Sequence, residues 1–170
     1  MITGVDHSSF VVSDIARTVT FYELFGFERE WEIEDDGPAM RENVAFPDAR
    51  MRLVQLVAPD GARLELIEYV QPKGDQHPPE RNAVGAGHIC LLVDEIDSAV
   101  ESLKAAGVDT FLSPVVEFTD GPDAGLRAVY LRDTDGIIVE LTQSPPASDS
   151  SATSTVTHEA GSWASEGGRW

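Results

Sequence analysis

Two histidines and two glutamates occupy matching positions in this chain, and together they could bind a metal ion. His7 aligns with His88, 81 positions later, and Glu65 aligns with Glu140, 75 positions later. Two imidazoles and two carboxylates are suitable ligands for one divalent ion of Zn, Ni, Co, Mn or Fe. If the four side chains meet around one ion, coordination positions remain open there for water or a substrate.

The alignment extends beyond these four residues and indicates an internal repeat. The matches keep both their order and their chemical type, and one six-residue difference in length reconciles the two spacings. Further pairs are Val12 with Val93, Asp14 with Glu95, Ile15 with Ile96, Gly26 with Gly107, Arg52 with Arg127, Gly61 with Gly136 and Leu66 with Leu141. Each half is too small to bury a good core alone, so we expect the halves to pack together.

The hydrophobic pattern predicts an α+β fold made of two tandem βαβββ modules, at residues 1–70 and 86–143. The predicted elements of the first are a strand at 5–12, a helix from Ile15 ended by Gly26, a strand at 27–33, a loop at 35–43, and strands at 51–57 and 62–70. Those of the second are a strand at 87–93, a helix at 96–106 ended by Gly107, and strands near 110–118, at 126–131 and at 137–141. Residues 71–85 form a linker rich in Pro, Gly and charge, and the composition of residues 144–170 predicts a disordered tail.

This arrangement of elements determines where the four polar residues lie. Alternate residues of a strand face the same side of a sheet, so each module presents one His and one Glu at matching positions. Pseudo-twofold packing of the modules would gather His7, Glu65, His88 and Glu140 into one cluster. The alternative is that the histidines are ordinary core or surface residues and the glutamates are solvated. Burying two carboxylates without a cation is costly, which favours a metal site.

Glu68 is the alternative to Glu65 as the first carboxylate ligand. It lies three residues further along the same predicted strand and therefore faces the opposite side of the sheet. The repeat also matches Glu68 with Gln143 rather than with a second glutamate. Both observations favour Glu65.

Composition excludes several classes of function. Thirty acidic and twelve basic residues give a net charge of -18, which disfavours binding to nucleic acid and to an anionic membrane surface. The first residues lack the pattern of a signal peptide, and Cys90, the single cysteine, cannot form an internal disulfide. We therefore expect a cytoplasmic protein that acts on a small molecule.

Four segments carry a resemblance to a known family. They are DHSSFVVSDIARTVTFYELFGFE, RLELIEY, GHICLLVDEIDSAVESLKAAGV and LRDTDGIIVEL, which together span most of residues 5–143. The chain resembles the vicinal oxygen chelate superfamily, which includes glyoxalase I, epimerases, extradiol dioxygenases and bleomycin-resistance proteins. The resemblance implies paired βαβββ modules whose mixed sheets curl around a metal site, and a homodimer. In this superfamily the site forms either within one chain or across two chains.

The resemblance also implies roles for individual residues. His7 resembles the first-strand His of the family, Glu65 the carboxylate that glyoxalase I uses, His88 the second His, and Glu140 the final Glu. A complete His-Glu-His-Glu set is similar to that of the isomerase and lyase members. Glu65 and Glu140 would then be catalytic as well as metal ligands, because a carboxylate beside the metal can remove and return a proton.

The resulting hypothesis is a metal-dependent isomerase, epimerase or glyoxalase-type lyase. It would abstract a proton next to the carbonyl of a small oxygenated substrate, such as a cyclitol or keto-sugar, an acyl-CoA or a hemithioacetal. The alternatives are an iron-dependent extradiol-type dioxygenase and a non-catalytic small-molecule binding or resistance protein. The acidic composition mildly favours a neutral polyol or small ketone over a polyanionic substrate.

Overall fold

The computed structural model describes residues 1–75 and 80–145, and it contains two mixed β-sheets and three helices within those ranges. The first module comprises β1 (Ser8–Val11), α1 (Ile15–Glu23), β2 (Glu28–Asp35), α2 (Pro38–Val44), β3 (Arg50–Val57) and β4 (Arg63–Gln71). The second comprises β5 (His88–Leu92), α3 (Ile96–Ala105), β6 (Val116–Glu117), β7 (Arg127–Arg132) and β8 (Ile138–Gln143). The predicted α+β fold of two tandem βαβββ modules is confirmed.

The two sheets have the same topology. Their strand orders are β1-β4-β3-β2 and β5-β8-β7-β6, and in each sheet the first strand runs parallel to the last. The remaining strand pairs are antiparallel. In the parallel pairs Ser9 lies opposite Glu65, and Cys90 lies opposite Glu140. The internal repeat of the sequence is therefore a repeat of sheet register as well.

One apolar cluster draws on both modules. It includes Ile15 and Tyr22 of α1, Leu66 of β4, Ile96 of α3 and Leu141 of β8, all fully buried. The first helix begins at an N-cap formed by Asp14, whose side chain accepts a hydrogen bond from the backbone of Arg17. Because the helices cover one face of each sheet, the opposite face stays more open, and that face carries His7, Glu65, His88 and Glu140.

Two of the predicted elements differ from those observed. Residues 38–44 form the short helix α2 rather than a loop, because Gly37 and Pro38 supply a helix start although no residue of the helix is buried. The strand expected near 110–118 is reduced to the two residues of β6 and a single bridge at Phe111, since Pro114 between them lacks a backbone N–H.

The helix-bearing sides of the two modules are also joined by polar contacts. The hydroxyl of Tyr22 contacts Asp133 Oδ2 at 3.5 Å, and the hydroxyl of Thr18 contacts that of Thr134 at 3.0 Å. Arg17 pairs with Asp135 at 3.3 Å. These contacts fix the first helix of one module against the β7–β8 turn of the other.

The predicted tail at residues 144–170 lies outside the described residues from position 146 onward, as do residues 76–79 of the predicted linker. In the described part of the chain no helix is long and apolar enough to cross a membrane.

Replacing Asp133 with Asn should raise stability at neutral pH. Burial raises the pKa of Asp133 above its usual value near 3.8, so the stability gained from its protonation is lost as the pH rises through the folded-state pKa. An Asn oxygen can still accept the backbone N–H bonds of Asp135 and Ile137, at 2.9 and 2.8 Å. Melting curves of Asp133→Asn should therefore lose this part of the wild-type pH dependence. A lower melting temperature at neutral pH would contradict the assignment.

Candidate metal centre

The first His–Glu pair lies at the start of the first sheet. His7 directly precedes β1, and its Nε2 lies 3.6 Å from Glu65 Oε2 on β4. The Glu65 side chain is only 14% exposed, whereas that of His7 is 35% exposed. On the other side of the imidazole, His7 Nδ1 hydrogen bonds Asp6 Oδ2 at 2.8 Å, and this bond lowers the pKa of Asp6.

The second pair has the same construction in the second sheet. His88 is the first residue of β5, and its Nε2 lies 3.1 Å from Glu140 Oε2 on β8. The Glu140 side chain is again 14% exposed, and that of His88 is 47% exposed. In both modules the histidine lies two residues before the residue that faces the glutamate in register.

The four predicted residues thus form two pairs, and the pairs do not merge into one cluster. Within residues 1–75 and 80–145, no group of three or more His, Cys, Asp or Glu side chains is placed to hold a metal ion. A cavity of about 310 Å³ lies between the first strands of the two modules, with Ser8 and Phe10 on one side and His88 and Ile89 on the other. Each pair is therefore half of the predicted ligand set.

The donor chemistry of each half fits a divalent metal ion. Each half supplies one imidazole nitrogen and one carboxylate, both of which bind divalent transition metals. The hydrogen bond between Asp6 and His7 Nδ1 is the support that metal-binding histidines usually have, because it leaves Nε2 free for a ligand. The low exposure of the two glutamates also fits, since an ionised carboxylate in such a position needs a cationic or hydrogen-bonding partner.

Glu68 lies on the helix-bearing face of the sheet, and strand alternation correctly predicts that it faces away from Glu65. Its Oε2 accepts a hydrogen bond from the backbone N–H of Ile15 at 3.2 Å and pairs with Arg52 at 3.3 Å. In the second module, Gln143 accepts the equivalent bond from Ile96 at 2.9 Å. The match of Glu68 with Gln143 therefore reflects a repeated contact with a helix start, not a repeated ligand.

Tyr130 is the main neighbour of the second pair that the sequence analysis missed. It lies opposite Glu140 in the β7–β8 register, and its ring meets that of His88 edge to face, with centroids 5.8 Å apart. Burial, together with its hydrogen bond to Glu140, raises the pKa of Tyr130 to about 12. A cleft of about 640 Å³ adjoins Tyr130 and His88 and is bounded by Arg81 and Asn82 of the linker.

Cys90 lies on the same face, opposite Glu140 in the β5–β8 register. Its sulfur contacts the Thr142 hydroxyl at 3.4 Å. Partial burial of the sulfur raises the pKa of the Cys90 thiol, although the residue as a whole is exposed. The sequence favours a small buried apolar side chain at Cys90, and this prediction is wrong because the residue is exposed.

Large apolar side chains surround the pairs on the open faces of the two sheets. Val11 is 61% exposed and Ile33 47% exposed in the first sheet, and Leu92 is 78% exposed in the second. Exposed apolar side chains that share a face with partly buried polar residues are typical of a surface covered by a ligand or by another protein chain.

Two tandem βαβββ modules, each with a His–Glu pair on the open face of its sheet, define a protein of the vicinal oxygen chelate class. The model of the glyoxalase/bleomycin resistance protein/dioxygenase superfamily matches residues 4–141, and the chain belongs to this superfamily. The resemblance noted in the sequence is therefore confirmed.

The chain is similar to several individual proteins of this superfamily. The chain is 30% identical over 146 residues to a 2-epi-5-epi-valiolone epimerase from Actinomyces sp, covering 84% of this chain and 80% of that protein. A glyoxalase family protein from Bacillus cereus has a similar structure, with a TM-score of 0.77 at 24% identity, covering 85% of this chain and 96% of the other. The fosfomycin resistance protein FosX from Listeria monocytogenes, crystallised with Mn(II) and sulfate, matches with a TM-score of 0.57 at 21% identity, covering 86% and 96%.

Proposed function

We propose that this protein is a metal-dependent isomerase or epimerase that abstracts a proton next to the carbonyl of a small oxygenated substrate. The observation that carries the proposal is the pair of His–Glu half-sites at equivalent register positions of two equivalent sheets. The epimerase among the relatives supports the reaction class. It also favours a cyclitol or keto-sugar over an acyl-CoA or a hemithioacetal, as does the acidic composition.

Four residues of the chain are the proposed metal ligands, and two of them are also the proposed bases. His7, Glu65, His88 and Glu140 would hold a divalent ion, which when bound stabilises negative charge on a substrate oxygen. Glu65 and Glu140 are the candidate bases, because each is a carboxylate with little exposure beside a histidine. Removal of a proton by one and its return by the other, on opposite faces of the substrate carbon, gives epimerisation.

We further propose that two chains complete the site. In this arrangement a full ligand set combines the first-module pair of one chain with the second-module pair of another, and the separation of the two pairs among the described residues is in keeping with it. A twofold-symmetric homodimer makes two such sites at once, since each chain contributes both halves. The exposed apolar side chains beside the pairs, Val11, Ile33 and Leu92, would be covered in that dimer.

The proposal is tested by metal analysis followed by hydrogen exchange. Protein purified without chelators should contain a divalent transition metal, and in D₂O it should exchange a proton next to the carbonyl of a cyclitol ketone such as a valiolone. Glu140→Gln should slow this exchange by roughly 10² to 10⁴-fold, because the amide cannot accept the proton. Glu101→Gln, on an exposed position of α3, is the matched control and should exchange at the wild-type rate.

Three results would contradict the proposal. Full exchange and full metal content in Glu140→Gln would remove Glu140 from the site. Oxygen consumption that requires ferrous iron would favour the dioxygenase alternative. Stoichiometric binding of a small molecule without a bound metal would favour a binding or resistance protein.

A further inference from the structure

The two half-sites are equivalent in backbone register, but they differ at one neighbouring position. The strand that pairs with each glutamate places Gln55 opposite Glu65 in the first sheet and Tyr130 opposite Glu140 in the second. These two positions correspond in the repeat, because each lies ten residues before its glutamate. The difference therefore distinguishes the two carboxylates within an otherwise matching framework.

Gln55 directs its side-chain amide to the backbone. Its side chain is buried, with the residue only 3% exposed, and its Nε2 donates to the backbone carbonyl of Leu56 at 3.5 Å. The first half-site has its support on the histidine instead, where Asp6 binds His7 Nδ1 at 2.8 Å. That bond orients the imidazole.

Tyr130 contacts both members of the second pair. It lies directly opposite Glu140 on the neighbouring strand, and its ring packs edge to face against His88, with centroids 5.8 Å apart. The histidine and glutamate that it touches lie 3.1 Å apart, closer than the 3.6 Å of the first pair. A rigid phenol that touches two neighbouring ligands restricts the rotation of both side chains.

We propose that Tyr130 is a positioning residue that holds the Glu140 carboxylate beside His88 and makes the second half-site the more preorganised of the two. The inference rests on the proposed function, since it assigns Tyr130 a role toward the same metal ion. In a completed site, Glu140 is then the fixed carboxylate and Glu65 the more mobile one. Side chains that orient metal ligands typically change metal affinity by 10–100-fold when they are removed.

The test is metal binding by Tyr130→Phe, which removes the hydroxyl and keeps the ring against His88. Calorimetric titration of the metal-free full-length protein with Mn²⁺ should show an affinity about tenfold lower than that of wild type. The visible absorption spectrum of the Co²⁺-loaded variant should also change, because it reports the arrangement of the ligands. Neither readout needs the substrate.

Tyr69→Phe is the matched control. Tyr69 lies on the same strand as Glu65 and packs against Phe46, with ring centroids 5.9 Å apart. Its variant should keep the wild-type Mn²⁺ affinity and Co²⁺ spectrum. Thermal unfolding of the metal-free proteins separates positioning from stability, because Tyr130→Phe should melt within a degree or two of the control.

The outcomes separate this inference from the proposed function. Wild-type Mn²⁺ affinity and an unchanged Co²⁺ spectrum in Tyr130→Phe overturn the positioning role and leave the metal site intact. Equal losses of affinity in Tyr130→Phe and Tyr69→Phe also overturn it, because they indicate a general structural effect. A wild-type protein that binds neither Mn²⁺ nor Co²⁺ overturns the proposed function, and the positioning role with it.

Discussion

A dimer built from two differently defective chains is expected to recover one working metal site. In one chain His7 and Glu65 are both replaced by Ala, and in the other His88 and Glu140 are. If each site combines the first module of one chain with the second module of its partner, the mixed dimer has one intact site and one with no ligands. It should bind about half as much Mn²⁺ as wild type and have about half its activity, while either variant alone is inactive.

Co-expression of the two chains with different affinity tags, followed by purification on both tags, isolates the mixed dimer for this measurement. A mixed dimer of His7→Ala with Glu65→Ala is the control, because both of its sites then contain one defective first-module pair. Recovery of Mn²⁺ binding in that control would show that a site does not combine the first module of one chain with the second module of its partner. A wild-type protein that is monomeric by light scattering and still binds one Mn²⁺ per chain with high affinity would place the whole site within one chain.

The fold could be predicted from the sequence because each helix, strand and turn pattern occurs in both halves of the repeat. Gly26 and Gly107, both with φ near +80 to +90°, end the helical segments of the two modules, and each match makes the other more specific. The alternation along the last strands correctly separated Glu65 from Glu68, because strand periodicity depends only on local geometry. Helix ends and the faces of strand residues could therefore be predicted, because they depend on local geometry.

The position of one His–Glu pair relative to the other could not be predicted in this way. Periodicity places His7 with Glu65 and His88 with Glu140, but the relative placement of the modules depends on tertiary packing, such as that of Tyr22 against Asp133. The expectation of one four-residue cluster assumed a packing in which both open faces meet. Tyr130 was missed for a related reason, because an aromatic residue on a strand is most simply a packing residue.

Glu65 and Glu68 lie three residues apart on one strand, and their Ala variants are expected to have opposite effects on Mn²⁺ affinity and on stability. Glu65→Ala removes one of the proposed ligands and should weaken Mn²⁺ binding by roughly 100-fold, at or beyond the upper end of the losses seen for supporting residues. Its effect on the melting temperature of the metal-free protein should be small, because Glu65 has His7 as its nearby partner and caps no helix. Calorimetric titration and thermal unfolding of the same samples give both values.

Glu68→Ala should have the opposite profile. It leaves the backbone N–H of Ile15 and the guanidinium of Arg52 without their carboxylate, and loss of such a helix-start contact costs about 0.5–2 kcal/mol of stability. Mn²⁺ affinity should stay at the wild-type level, because Glu68 lies on the other face of the sheet. Glu68→Gln should recover much of the stability, since Gln143 makes the same contact with Ile96 in the second module. Loss of Mn²⁺ binding in Glu68→Ala, with binding retained in Glu65→Ala, would exchange the roles of the two residues and move the metal site to the helix-bearing face.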